Sequence, residues 1–230
     1  MGSIVILGLG PGRLGLITLE SWEILQKANP LLLRTAVHPT AEDLRERGIP
    51  FSSYDGFYEE AKDFSTLYRR IAEDVLARAA AGEDVVYAVP GSPLVAERTV
   101  VLLREMAREA GISLSILPGM SFLEVLYTRL GIDPLEGVAI VDAMDAECLA
   151  GCGSLSMVVT QVYDQRVASE AKLTLLDIFP DEHRVTYIHH LALPEEAIRQ
   201  IPLYEIDRQV DLDHLTSIFI PRCPFFLGTP

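Results

Sequence analysis

Residues 85–103 read VVYAVPGSPLVAERTVVLL: an apolar, β-branched run, a turn crowded with proline and glycine, and an amphipathic stretch. A simple reversal of direction needs far less. Pro90 and Pro93 fix two φ angles and remove two backbone donors, while Gly91 leaves bare backbone open to close approach. A strand, a stiff turn and a helix form the repeating unit of an α/β sheet, in which ligands sit beyond the carboxyl ends of the strands.

The same alternation extends outward. SIVILGL, PLLLRT, DVVYAV and ISLSIL read as strands. TLESWEILQKAN with Thr18 as N-cap, PTAEDLRERG closed by Gly48, and MSFLEVLYTRLG read as helices. Residues 58–83 predict one long helix, with Phe64, Leu67, Ile71, Val75 and Leu76 at helical spacing, and residues 93–111 predict another. After about residue 132 strands crowd together: EGVAIVDA, LSMVVTQV, RVTYIHH, IPLYEID and LTSIFIP. Only QRVASEAKLTLLDIF and the short PEEAIRQ read as helical there. The expectation is two α/β domains, a parallel-sheet domain over 1–118 and a mixed-sheet domain over 119–230. The final PRCPFFLGTP reads as a Pro-rich tether.

Composition excludes several classes. The 230 residues carry a formal charge of −14, and the arginines are dispersed beside acids on helix faces. Nucleic acid would require them clustered against phosphates, so no nucleic-acid partner is expected. No apolar run reaches the roughly 18–20 residues of a membrane helix, and the N-terminus lacks the basic region and cleavage site of a secretory signal. The three cysteines form no disulfide framework, and ECLAGCG (Cys148, Cys152) is not C-x-x-C. A cytoplasmic protein without a metal site is expected.

Three strand-to-helix turns are rich in Gly and Pro: GLGPGRLG, VPGSP and LPGMSF. Tight βα turns alone account for any one of them; three together suggest a nucleotide-like ligand. Gly10, Gly12 and Gly15 satisfy G-x-G-x-x-G, which keeps an NAD(P)-binding oxidoreductase among the alternatives. Against it, Pro11 interrupts the turn, the helix begins near Thr18, and the second strand ends in Arg34-Thr35 with no acid for a ribose hydroxyl. No Gly-Lys-Ser/Thr follows, so it is not a P-loop.

Residues 5–25 resemble the opening of the tetrapyrrole (corrin/porphyrin) methylases, which usually read G-x-G-P-G-D-P-x-L-L-T. Residues 85–103 resemble their second motif, typically G-G-D-P-F, and residues 114–134 their third, which ends in a G-I-P or G-I-D-P turn. The V-P-G-x-P form is most similar to the methylase-like N-terminal domain of YabN/MazG-type fusion proteins. The resemblance implies a cleft between two α/β domains, S-adenosylmethionine as cofactor, a small-molecule acceptor and a homodimer. It also implies a MazG-type pyrophosphohydrolase domain after this segment, whose paired E-E-x-x-E helix the residues lack: neither Glu59-Glu60 nor Glu195-Glu196 is followed by the required acids. The cofactor contacts carried over are Gly10, Pro11 and Gly12 in the first turn, Pro90, Gly91, Ser92 and Val95 in the second, and Ser121 and Phe122 in the third. Gln161 after SMVVT and Leu191 after TYIHH complete the set.

Arg13-Leu14 and Ser92 stand where the family pattern has Asp-Pro and Asp. A carboxylate beside a cationic cofactor adds Coulombic attraction, and this chain lacks it there. Phe122 is bulkier than the usual Ala or Ser. Methyl transfer is a direct displacement that depends on alignment and desolvation, so no triad is needed. The five histidines form no H-x-x-x-H pair; His189-His190 reads as an ordinary strand-edge pair or as one ring lining the cleft. Tyr54, Tyr58 and Tyr87 are candidates for an acceptor pocket or for the core. Asp142 and Asp145 are candidates for the site or for a solvated loop. A methyltransferase and a non-catalytic regulatory domain both remain open.

Overall fold

In the computed structural model, which describes residues 1–61 and 63–223, the quoted stretch lies near the centre of a five-stranded parallel sheet. Its strands are β1 (Ser3–Gly8), β2 (Leu31–Leu33), β3 (Ser52–Ser53), β4 (Val85–Val89) and β5 (Ser113–Ile116), in the order β3-β2-β4-β1-β5. Every pairing is parallel, and all five residues of β4 are buried. A strand covered on both faces must be apolar at every position rather than at alternate ones, which is why VVYAV shows no polar alternation.

Parity along the strands sorts the core into two layers. Ile4, Ile6, Leu32, Val85, Tyr87 and Val89 pack with α4 (Phe64–Ala80) and α5 (Arg98–Ala110). Leu7, Leu31, Leu33, Val86 and Ala88 pack with α1 (Leu19–Leu25) and α2 (Pro39–Glu46) on the other face. Thr18 caps α1 by accepting from the Ser21 N–H at 3.2 Å, and Gly48 follows α2 at φ +69°.

The long helix expected over residues 58–83 is corrected. A short helix, α3 (Asp55–Glu60), precedes α4, whose start is set by Asp63: its carboxylate accepts from the Thr66 N–H at 2.8 Å. The pattern ran through because apolar spacing continues while the capping acid interrupts the backbone ladder. Phe64, one of the apolar residues at helical spacing, lies in the first turn and is 66 % exposed, stacking on Tyr68. The helix expected from residue 93 also starts late, at Arg98, because residues 93–97 still belong to the turn.

The second sheet contains β6 (Val138–Asp142), β7 (Ser156–Thr160), β8 (Arg184–His189), β9 (Ala197–Pro202) and β10 (Thr216–Ile220), in the order β6-β7-β10-β8-β9. Only β6 and β7 pair in parallel; the other three pairings are antiparallel. Met157, Val159, Val185, Tyr187, Ile218 and Ile220 pack with α7 (Ala146–Gly151) and α8 (Gln165–Leu176). Two compact units result, Met1–Val125 and Leu126–Pro230, with the boundary inside α6 (Phe122–Leu130).

Two expectations exchange places here. PEEAIRQ, read as a helix, supplies most of β9, an edge strand whose three consecutive exposed residues, Ile198, Arg199 and Gln200, show no strand alternation. IPLYEID, read as a strand, is mainly a 3-10 helix over Leu203–Arg208, with Leu203 and Ile206 buried. Residues at i and i+3 eclipse in a 3-10 helix, so both reach the core. The tether-like terminus beyond Cys223 lies outside the described residues. Among the described residues no helix is long and apolar enough to cross a membrane.

Leu67→Ala, which empties a fully packed site on α4, is expected to cost about 3 kcal/mol. Phe64→Ala, one turn earlier, should cost under about 1 kcal/mol. Urea unfolding of the two variants measures the difference.

Candidate functional site

Strands β1 and β4 are neighbours, yet the chain leaves them in opposite directions, β1 towards β2 and β4 towards β5. Their exits are pinned together by an antiparallel bridge. The Gly91 N–H donates to the Gly10 carbonyl at 2.8 Å, and the Gly10 N–H donates to the Gly91 carbonyl at 3.2 Å. Both residues are left-handed, at φ +73° and +65°, a region that favours glycine.

Close packing imposes a second requirement. A Cβ on Gly8 would run into the Gly91 carbonyl oxygen, and one on Gly10 would lie 2.6 Å from the Leu16 oxygen. Gly119, in the third turn, would place a Cβ 3.1 Å from Pro93 Cδ, 3.3 Å from Ser92 Cα and 3.5 Å from Gly8 Cα. The three turns singled out in the sequence therefore meet at one edge of the parallel sheet. Gly91 differs from the others: a Cβ there would meet nothing within 4 Å, so open space lies beside its backbone.

Helix α2 buttresses this edge. His38 Nδ1 accepts from the Thr40 N–H at 3.2 Å, which leaves the ring proton on Nε2, 3.0 Å from the Gly10 carbonyl. Thr40 is buried, with its hydroxyl 3.0 Å from the Leu9 oxygen and 3.1 Å from the Gly12 oxygen. Burial drives the His38 pKa down to about 4, against the opposing pull of the Gly10 hydrogen bond.

Ser121 lies in a capping box at the start of α6. Its N–H and hydroxyl both donate to Glu124 Oε2 at 2.7 Å, and its Oγ accepts from the Leu123 N–H at 3.1 Å. The signature S-x-x-E was readable in SFLE and ties Ser121 to the helix start. The Ser92 carbonyl accepts from the Val95 N–H at 3.1 Å, closing the second turn. Pro11, Pro90 and Phe122 are partly buried in the same three turns.

A buried ion pair missed in the sequence also sits at this edge. Arg34, just beyond β2, donates from Nη1 to Glu97 Oε2 at 2.7 Å and from Nε to the Tyr58 hydroxyl at 3.0 Å. Glu97 Oε1 accepts from the Thr99 hydroxyl at 2.6 Å, and its side chain is 2 % exposed. Burial opposes charge on Arg34, but Glu97 and Tyr58 together hold it above its ordinary value. The partner of the arginine that ends the second strand thus comes from the loop before α5. Its signal was the preceding Ala96, left-handed at φ +54°, which no composition rule reveals.

Gln161 and Leu191 lie in the other unit, just past the carboxyl ends of β7 and β8. Both strands run antiparallel to β10, so these ends share one edge of the mixed sheet. Gln161 is left-handed at φ +61°, and so are the residues flanking Leu191, His190 at +50° and Ala192 at +69°. Among the remaining candidates, Tyr54 and Tyr87 are core residues. Asp142 accepts from the Met144 N–H, and Asp145 caps α7 through the Cys148 N–H.

Two outcomes test this geometry. Gly8→Ala should cost more than about 3 kcal/mol because backbone must move, whereas Gly91→Ala should cost about 1–2 kcal/mol, from the left-handed φ alone; chemical denaturation compares them. His38→Asn keeps a capping acceptor but removes a titrating ring. Below its ordinary pKa of about 6.5 the unfolded chain takes up a proton that folded His38 refuses until about pH 4, so His38 withdraws stability as pH falls through that window. From about pH 7 to about pH 5 the parent protein should lose about 1 kcal/mol more than His38→Asn, after allowance for partial exposure. Equal losses in paired urea titrations would contradict the assignment.

Comparison with known proteins supplies the family. The family model of the Tetrapyrrole (Corrin/Porphyrin) Methylases matches residues 3–207. YabN of Bacillus subtilis (strain 168), described as uncharacterized, is 40% identical over 229 residues, covering 96% of this chain and 45% of that protein. A siroheme synthase of Tolumonas auensis is 33% identical over 120 residues, covering 52% of this chain and 25% of its own. The chain thus spans less than half the length of these relatives. Among solved structures, the methyltransferase CobJ aligns with a TM-score of 0.76 at 18% identity, covering 97% of this chain and 95% of its own. Uroporphyrin-III C-methyl transferase from Thermus thermophilus, complexed with S-adenyl homocysteine, aligns with a TM-score of 0.69 at 20% identity, covering 96% and 92%. With its glycine turns joined at one sheet edge and a family match over most of its length, the chain belongs to the tetrapyrrole (corrin/porphyrin) methylase family.

Proposed function

We propose that this chain is an S-adenosylmethionine-dependent methyltransferase and that the three joined turns hold the cofactor. The observation that carries the reading is the Gly10–Gly91 bridge with open space beside Gly91. It is a rigid cradle that a single methyl group would begin to fill. Family membership and the S-adenyl homocysteine ligand of the Thermus thermophilus relative support the same choice.

When bound, the cofactor supplies a methyl group on a cationic sulfonium for attack by a nucleophilic acceptor. The work left to the chain is alignment and exclusion of water. Gly10, Pro11 and Gly12 would form one wall, Pro90, Gly91 and Ser92 a second, and Ser121 with Phe122 a third. Pro90 and Pro93 hold the second turn in a single shape, and the His38 and Thr40 bonds hold the first. The acceptor is proposed only as a small molecule.

A second reading, a ligand-binding domain that regulates an attached MazG-type domain, draws on Ser92. The neutral hydroxyl replaces the family's carboxylate, and the chain spans 45% of YabN. Calorimetry with S-adenosylmethionine, S-adenosylhomocysteine and NAD(P) tests the cofactor assignment. One site per chain for the sulfur ligands is expected, and failure of both to bind would overturn it. Methyl transfer to a panel of small acceptors then separates an enzyme from a sensor. Ser92→Asp adds a charge that the sulfonium feels and the neutral thioether does not, so the preference for S-adenosylmethionine over S-adenosylhomocysteine should rise by about fivefold.

A further inference from the structure

We propose that His189, His190 and Asp213, all in the second unit, form a binding site for a first-row divalent transition-metal ion. The set was hidden in the sequence because Asp213 lies in the connection before β10, far along the chain from the histidines. Folding brings one ligand atom from each residue within 4.8 Å of the others.

The three donors converge, and binding requires one imidazole to rotate out of the ring stack so that both in-plane lone pairs meet at the ion. The two rings stack with centroids 3.8 Å apart at 19°, and both turn Nε2 towards the same oxygen, Asp213 Oδ2, at 3.3 Å for His189 and 2.7 Å for His190. Donors about 2.0–2.1 Å from a tetrahedral zinc ion are separated by roughly 3.3 Å. The His189 spacing already fits, and the His190 pair needs to open by about half an ångström. Two imidazoles and one carboxylate are a borderline donor set, suited to zinc and its neighbours rather than to magnesium or calcium. Three protein donors leave a fourth position open.

The surroundings are arranged around these donors. The other oxygen of Asp213 accepts from the Leu215 N–H at 2.8 Å, and the Asp213 N–H donates to Thr216 Oγ1 at 3.0 Å, so the carboxylate cannot swing freely. Asp211 stands behind His189, its Oδ2 3.7 Å from Nδ1. Arg199 grips both Asp211 oxygens, at 2.7 and 2.8 Å, and the Tyr187 hydroxyl donates to Oδ1 at 3.1 Å.

The independent sign of a missing ligand is one unsatisfied nitrogen on the site, His189 Nε2. His189 Nε2 is buried and makes no hydrogen bond, since its 3.3 Å approach to Asp213 Oδ2 lacks hydrogen-bond alignment. The His189 side chain is only 12 % exposed. A buried polar atom without a partner is costly, and His190 also carries a left-handed backbone at φ +50°. An ion between the rings and Asp213 would satisfy His189 Nε2 and fasten the end of β8 to the start of β10.

The test uses the untagged chain with Cys148→Ser and Cys152→Ser, which removes the thiols of α7 and its C-cap as rival ligands. Zinc calorimetry should show one ion per chain at micromolar concentration, and cobalt(II) should give the visible absorption of a tetrahedral N/O site. His190→Ala and Asp213→Asn should each weaken zinc at least about tenfold, and added zinc should raise the melting temperature of the parent but of neither variant. Circular dichroism verifies that each variant folds. His190→Gln replaces any variant that does not. Absence of zinc binding and of the cobalt bands, or affinity unchanged in the variants, would overturn the proposal and leave a hydrogen-bonded strand-edge pair.

Discussion

The bridge between Gly10 and Gly91 is the contact on which the first unit's working edge depends. Two parallel strands cannot exchange antiparallel hydrogen bonds within the sheet, so the bridge exists only because both chains turn over just past their strand ends. That turn puts both glycines at positive φ and presses Gly8 against the Gly91 carbonyl. The Gly10 carbonyl then receives two donors, the Gly91 N–H and the His38 ring. The second requires a neutral imidazole with its proton on Nε2. Burial keeps His38 neutral, and its capping bond to Thr40 selects the tautomer. Backbone geometry, helix capping and protonation state are thus one constraint.

This dependence explains which features were legible in the sequence. Glycine and proline at strand ends announce turns whatever the tertiary context, so the three turns and their strands were found. Continuous apolar runs and Thr18 announced the parallel sheet and α1 in the same way. Features decided by one polar contact were read less well. Asp63 divides an apolar pattern that spacing alone continues, and Glu97 delays α5 by pairing with Arg34 across 63 residues. In β9, exposed residues at a sheet edge have no packing to mark their period, and a polar strand looked helical. His189, His190 and Asp213 illustrate the extreme case, since only the β8–β10 pairing reveals that they are neighbours.

Charge is distributed accordingly. The chain is strongly acidic, yet charges at the two sheet edges are locally compensated: the largely buried Arg34–Glu97 pair in one unit and the more exposed Arg199–Asp211 pair in the other. A buried pair of this kind contributes little net stability, while loss of one partner is expensive. Its effect is to fix position. Arg34 orients Tyr58, and Arg199 holds the carboxylate behind His189. The general acidity therefore says little about what either edge can bind, and the local geometry says more.

Around the glycine turns, side-chain polarity is largely committed to the scaffold. Ser121 caps α6, Thr40 and His38 hold carbonyls of the first loop, and Glu97 starts α5. What remains to face a ligand is chiefly backbone and apolar surface. A surface made that way tolerates replacement of its side chains, provided the glycines, prolines and caps persist. Relatives can then keep the fold at low identity, and an aspartate can become Ser92 without dismantling the turn. For a displacement reaction, whose rate rests on alignment more than on acid–base groups, such a cradle is sufficient in principle. The change at Ser92 therefore weakens an electrostatic contribution to the proposed cofactor site while leaving its shape intact.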